Sequence, residues 1–215
     1  MDEAAARAQL SVSRETLARL EAFVVFLKSQ NEQQNLVSRG TLDAVWKRHI
    51  LDSAQLLRYA PSPEANWLDL GTGAGFPGLI VGLRHLGPVT LVEERKKRAQ
   101  FLVDAAEILG ISERVSIHCT PIERFESRPF DVISARAFAP LERLFELSHS
   151  FSTAKTRWIL PKGRNAASEL EAAKASWHGE FRLEQSLTDA DAQIIVAEGV
   201  SPKAPRQAGK GKRAR

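Results

Sequence analysis

The stretch DLGTGAGFPG, residues 69–78, lies between two apolar runs and holds four glycines in ten positions. That density calls for a tight turn and for a ligand brought close to bare backbone. Gly73, Gly75 and Gly78 spell G-x-G-x-x-G, the dinucleotide fingerprint, and Glu93 follows Gly73 by twenty residues. In that fingerprint the strand runs straight into its first glycine and leaves helix amides free for pyrophosphate. Here Asp69 stands at the strand end, two residues before Gly71. A carboxylate there repels pyrophosphate and suits a ligand that carries positive charge.

Glu93 closes the next apolar run, where its two oxygens can accept from both hydroxyls of a ribose. An adenosine-bearing cation satisfies both acids, and S-adenosylmethionine, with a sulfonium, an ammonium and no phosphate, is one. The only tyrosine, Tyr59, has no lysine four residues on, so the pair used by short-chain reductases is missing.

Outward from the glycines, short apolar runs alternate with helical segments. Strands are expected at 67–70, 89–93, 115–119, 130–134 and 158–160, with later ones near 181–185 and 193–197. Helices are expected near 77–85, 96–109, 141–150 and 166–177. This alternation predicts an α/β fold with a mostly parallel, doubly wound sheet whose ligands lie at the carboxyl ends of the strands. Before it, Leu17, Leu20, Val24 and Leu27 recur at helical spacing from an N-cap at Ser13, and Phe23, Val25 and Phe26 widen the stripe. A second helix is expected from Thr41 to the proline-rich boundary at Pro61. The division is therefore a helical extension over 1–60, a catalytic domain over 61–200 and a basic tail over 201–215.

The net charge is +4, yet the last fifteen residues hold six Lys/Arg and no acid, so residues 1–200 carry −2. Basicity belongs to the tail, which is expected to be disordered and either solubilises the chain or tethers phosphates. No apolar run spans a bilayer, and the amino terminus lacks the layout of a secretion signal. One cysteine, Cys119, excludes an internal disulfide and a multi-cysteine metal site, and fits a reducing, cytoplasmic setting.

The acceptor is narrowed by what is missing. Exocyclic amine methylation relies on an Asn/Asp-Pro-Pro-aromatic loop after the fourth strand, where this chain reads SARAFAPL, residues 134–141. Methylation of a pyrimidine carbon needs a thiolate to add to the ring. Cys119 lies in the alternating run VSIHC, which reads as a core position. What fits is an acceptor with an exposed lone pair, such as guanine N7, for which catalysis is in-line positioning and electrostatics.

Five segments, NLVS at 35–38, RHILDS at 48–53, GTGAGFPG at 71–78, RAFAPL at 136–141 and KG at 162–163, occur in an order that resembles the GidB (RsmG) family. Its members are bacterial small-subunit ribosomal RNA guanine-N7 methyltransferases. The resemblance implies a Rossmann-like class I S-adenosylmethionine-dependent methyltransferase fold with an N-terminal helical extension. Its substrate would be a guanosine of small-subunit (16S) rRNA, naked or in an assembling subunit; apart from the resemblance, the chain is read as a monomeric enzyme with no metal site. The resemblance also implies that Gly71, Gly73 and Phe76 contact the cofactor, and that Glu93, or its neighbour Glu94, takes the ribose. Ile122 and Glu123 would hold adenine through backbone groups, and Arg136 would line the site. Beyond the family pattern, Arg136 could orient the target base through O6, leaving N7 free.

Other residues read less sharply. His49 is expected to be a structural hydrogen-bonding residue rather than a base, with Asp52 its partner or that of Arg48 at i,i+4. Arg48, His49 and Lys162 stand as candidate substrate contacts, the last by its place after the fifth strand. The run ERKKR, residues 94–98, reads either as an RNA contact or as a solvated face. Two rivals remain, a methyltransferase of this fold acting on a small molecule and a non-catalytic RNA- or nucleotide-binding module.

Overall fold

The computed structural model describes residues 1–204. Residues 205–215, most of the expected tail, lie outside the described residues. Seven strands form one sheet: β1 (Trp67–Leu70), β2 (Val89–Val92), β3 (Val115–His118), β4 (Val132–Ala135), β5 (Arg157–Lys162), β6 (Trp177–Gln185) and β7 (Gln193–Pro202). Their order is β3-β2-β1-β4-β5-β7-β6. β1 to β5 run parallel, and β7 joins β5 and β6 antiparallel. The strand order reverses between β1 and β4, which opens a crevice at their carboxyl ends.

Every residue of β1, β2 and β4 is buried. Strands covered on both faces read as continuous apolar runs, which is why the sequence shows them. β6 and β7 run longer than expected, because β6 is a polar edge strand paired along its length with β7. β7 takes in Ser201 and Pro202, so the sheet extends two residues into the stretch read as tail.

Helices cover both faces. On one lie α1 (Glu3–Gln9), α2 (Arg14–Gln34), α5 (Gly78–Arg84) and α6 (Lys96–Leu109), and on the other α7 (Leu141–Ser148) and α8 (Ala166–Ser176). Between α2 and the sheet come two short turns, α3 (Arg39–Leu42) and α4 (Asp52–Ala54). The N-terminal helices share a core with the sheet: Leu20, Phe23 and Leu27 bury against Leu79, Phe101 and Leu102. Phe23 meets the Phe76 ring edge-on at 5.8 Å, and Phe26 stacks on Phe101 at 5.2 Å. Val25, expected in the stripe, is 70% exposed. Ser13 caps α2 by accepting the Thr16 amide, and Asn35 ends it in the left-handed conformation.

The second expected helix is not one regular element. Residues Trp46–Leu51 form a π turn, followed by α4 and a 3-10 turn over Gln55–Tyr59. The Glu3 carboxylate accepts the Trp46 and Lys47 amides and holds the start of that turn from α1. A π turn wraps more residues than an α turn, so residues four apart no longer align. Cys119 lies beyond the end of β3 and is exposed, not in the core.

Gly78 opens α5 tightly against the sheet. A Cβ there would meet Leu91 Cδ2 at 2.2 Å and Asp69 Oδ2 at 2.8 Å. Gly78→Ala is expected to lower stability by about 1–3 kcal/mol, read as a lower urea midpoint at unchanged slope. An unchanged midpoint would mean that α5 can shift away from β1 at no cost.

No helix among the described residues is long and apolar enough to cross a membrane.

Candidate active site

Two cavities adjoin at the carboxyl ends of the parallel strands. The smaller, about 290 Å³, is lined by Gly71, Glu93, Glu94, Arg98, Ile122 and Glu123 among others. The larger, about 680 Å³, is walled by Arg48, His49, Asp52, Arg136, Lys162 and the β6–β7 loop residues Thr188 and Asp189. Ala137 and Phe138 belong to both walls.

The smaller cavity is floored by the glycine turn. Gly71 and Gly73 have φ of +61° and +56°, a left-handed backbone that side-chain residues rarely adopt. Glu93 ties this turn to the end of β2. Its Oε2 accepts the Gly73 amide at 3.0 Å and its Oε1 the Arg95 amide at 2.9 Å. Each carboxylate oxygen keeps a further lone pair for an outside donor. Glu94, the other ribose candidate, is exposed in the same wall. Ile122 and Glu123 begin a 3-10 turn, and the first amides of such a turn have no partner within it. Arg95 and Arg98 also line this cavity, so part of the basic run faces it rather than only solvent.

Asp69 does not face either cavity, contrary to the sequence reading. It is fully buried; its Oδ1 accepts the Ser134 hydroxyl at 2.6 Å and its Oδ2 the Gly78 amide at 3.0 Å. Ser134 in turn accepts the Trp67 indole N–H at 2.8 Å. Burial pushes the Asp69 pKa up to about 6, against the pull of these hydrogen bonds. The period of two explains the placement: Trp67 and Asp69 share the strand face that α5 covers. Pyrophosphate is still excluded, but by another route. The carboxylate occupies the helix-start amide that a phosphate would need.

Phe76 is likewise buried rather than exposed to a ligand. The His49 ring stacks on it at 4.9 Å and the Arg136 guanidinium lies over it at 5.2 Å. It acts as a platform for both.

Arg136 follows β4 and is the best-anchored cation of the site. Its Nη1 donates to the Arg48 carbonyl at 3.2 Å and lies 3.6 Å from Asp52 Oδ2. Its Nη2 lies 3.0 Å from His49 Nδ1. A guanidinium only donates, so Nδ1 accepts and the imidazole proton is on Nε2, which donates to Thr41 Oγ1 at 2.9 Å. Burial lowers the His49 pKa to about 3, and Arg136 and Arg48 add to the effect. His49 is a neutral strut with both nitrogens engaged. The kcat/KM profile is therefore expected to show no His49 limb between about pH 5.5 and 8. A limb near 6.5 that vanishes in His49→Gln would contradict this.

Arg48 does not pair with Asp52. The π turn breaks that spacing, and Arg48 Nη1 reaches Asp189 Oδ2 at 2.5 Å across the larger cavity. Asp52 Oδ1 instead accepts Gln55 Nε2 and the Thr188 hydroxyl. Lys162 donates to the Ala139 carbonyl at 3.1 Å and to Glu169 Oε2 at 2.7 Å, and Glu169 also accepts the Leu141 amide. Its first task is thus to pin the loop after β4. Ser134, Phe138, Thr188 and Asp189 also belong to the site, and no motif in the sequence gives them a role there; Ser134 is the register partner of Asp69 on β4.

Comparison with known proteins agrees with this architecture. The family model described as rRNA small subunit methyltransferase G matches residues 16–194. A protein named ribosomal RNA small subunit methyltransferase G from Rhizorhabdus wittichii is 49% identical, covering 98% of this chain and 99% of its own. One of the same name from Zymomonas mobilis is 46% identical over 90% of each chain. Among solved structures, a ribosomal protein L11 methylase from Lactobacillus delbrueckii subsp. bulgaricus shares the fold at a TM-score of 0.56 and 18% identity, covering 72% of this chain and 78% of its own. Matched along most of its length by the family model and by these relatives, the chain belongs to the GidB family, rRNA small subunit methyltransferase G.

Proposed function

We propose that the protein transfers a methyl group from S-adenosylmethionine to N7 of a guanosine in small-subunit (16S) ribosomal RNA. The observation that carries this reading is the pair of adjoining cavities. One presents the Glu93 carboxylate beside the start of the Ile122–Arg124 turn, groups that suit a ribose and an adenine, and the other presents an anchored guanidinium. S-adenosylmethionine, when bound, supplies an electrophilic methyl on a sulfonium.

Glu93 accepts the ribose hydroxyls with the lone pairs its two amide partners leave free. The Ile122 and Glu123 amides donate to adenine, and Gly71 and Gly73 let the chain approach without a side chain in the way. Arg136 keeps N–H groups beyond those held by His49 and Arg48, and these orient the base through O6. N7 carries an in-plane lone pair and has no proton to remove first, so a donor held in the smaller cavity would meet a ready acceptor, and methylation would leave the purine cationic. Asp52, 3.6 Å from Arg136, offsets the guanidinium so that this cation meets little net repulsion. Arg48 and Lys162 stand at the larger cavity as phosphate partners.

The protein is read as a monomer acting in the cytoplasm, where the RNA is made. The substrate is the free RNA or an assembling subunit.

The test is incorporation of labelled methyl into small-subunit RNA from cells that lack the activity. Stoichiometric labelling of that RNA alone is expected. Donor binding without labelling would point instead to a small-molecule acceptor. Absence of donor binding would remove the enzymatic reading.

A further inference from the structure

Methyl transfer requires donor carbon and acceptor nitrogen to approach within about 3–3.5 Å in line. The two cavities therefore have to communicate, yet one side chain stands where they meet. Phe138 lines both, and its ring lies directly on Gly71: a Cβ on that glycine would fall 2.2 Å from Cδ2 and 2.8 Å from Cε2. Gly71 is the first glycine of the turn, at the carboxyl end of β1, where the reactive end of a donor has to lie in this fold.

The loop that carries Phe138 is held on both sides and turns in between. Arg136 is fixed by His49 and by the Arg48 carbonyl. On the other side Lys162 holds the Ala139 carbonyl and Glu169 the Leu141 amide. Between these anchors lies Ala137, with φ of +51°, a left-handed conformation strained for a residue with a Cβ.

We propose that Phe138 is a positioning residue that couples the two substrates, its ring leaving Gly71 when the donor enters and then walling the acceptor base. Ala137 supplies the rotation, while Arg136 keeps its place. The inference rests on the methyltransferase reading above. Donor occupancy forms the stacking wall that a purine needs, so each substrate tightens the other.

Calorimetry tests this with S-adenosylhomocysteine, which cannot react, and small-subunit RNA lacking the modification. In the wild type the first is expected to tighten binding of the second about tenfold, and the converse effect must be equal. In Phe138→Ala, S-adenosylhomocysteine is expected to bind at least as tightly as in the wild type, with the mutual effect reduced to less than about twofold. Phe138→Leu, which keeps an apolar side chain, serves as a second variant with the same expectation. Full coupling in both variants would overturn the proposal, as would the absence of coupling in the wild type. A tenfold loss of S-adenosylhomocysteine affinity in Phe138→Ala would make the ring a plain wall of the donor site and overturn it too. A wild type that binds no S-adenosylhomocysteine would instead defeat the functional reading itself.

Discussion

Arg136→Lys is expected to lower kcat/KM for RNA about a hundredfold or more, the usual loss when one pre-aligned donor is removed from a reacting group. Donor affinity should stay within about threefold, because Arg136 lines the larger cavity and not the smaller one proposed for the donor. The reason lies in geometry rather than charge. The guanidinium reaches the Arg48 carbonyl and His49 Nδ1 at once and still has N–H groups to offer. An ammonium on a flexible stem cannot make both contacts and also face a base edge. Loss of the fork also leaves His49 Nδ1 without its donor in a buried setting. Single-turnover rates with saturating S-adenosylmethionine would separate this from a binding defect. A lysine variant that keeps its rate would show that the fork has no role in orienting the base.

The second large effect concerns Asp69, and the replacement decides its sign. Asp69→Ala leaves the Ser134 hydroxyl and the Gly78 amide without their acceptor in a dry core, a loss of about 3 kcal/mol. Asp69→Asn keeps an acceptor for the Gly78 amide through its carbonyl and can donate to Ser134 through its amide, although the Ser134 hydroxyl proton then loses its acceptor. It also removes a carboxyl that burial disfavours in ionised form.

The pH dependence follows from the raised value, about 6 in the folded chain against an ordinary 3.8. As pH rises from 4 to 6, the unfolded chain gives up this proton first, so the wild type loses stability across that window and not above it. Relative to the wild type, Asp69→Asn should therefore gain about 2 kcal/mol between pH 4 and pH 7. Urea unfolding at the two pH values measures this difference. A difference that does not change with pH would mean that Asp69 is solvated or paired in solution. Donor affinity of Asp69→Asn is expected to stay within about threefold; a loss of tenfold or more would restore the direct contact that the spacing alone suggests.

His49 pulls the other way. Its lowered pKa makes the unfolded chain the better proton acceptor below 6.5, so its contribution is full above 6.5 and fades as pH falls toward 3. The two slopes oppose each other between pH 4 and 6, and Asp69→Asn should expose the acid sensitivity that His49 brings.

Much of the sheet was legible because β1, β2 and β4 are buried on both faces and read as apolar runs bounded by turn residues. The turn at Gly71–Gly78 was legible because it needs left-handed backbone. What lay beyond reach has physical causes. α1 is a seven-residue alanine-rich helix with one buried residue, so it shows no stripe. The π turn has no period that a 3.6-residue template detects, and it took the Arg48–Asp52 pairing with it.

Asp69 is the instructive case. Its position at the end of β1 was read correctly, but position along a strand does not say which way a side chain turns. The partner that keeps it inside, Ser134, is its register neighbour on β4. Trp67, two residues earlier on the same face, closes that chain with its indole N–H. Asp189 and Thr188 stayed hidden for a related reason. They lie in a polar loop that only the antiparallel pairing of Lys162 with Gln193 brings to the catalytic edge.

The chemistry itself can be settled at the level of one atom. Small-subunit RNA lacking the modification, treated with this protein and S-adenosylmethionine, should become susceptible to reduction and aniline cleavage at a single guanosine, because N7 methylation labilises that base. Methyl incorporation with no cleavage, or cleavage spread over many guanosines, would place the methyl on another atom or deny the site its selectivity, and the reading of Arg136 and its cavity would fail.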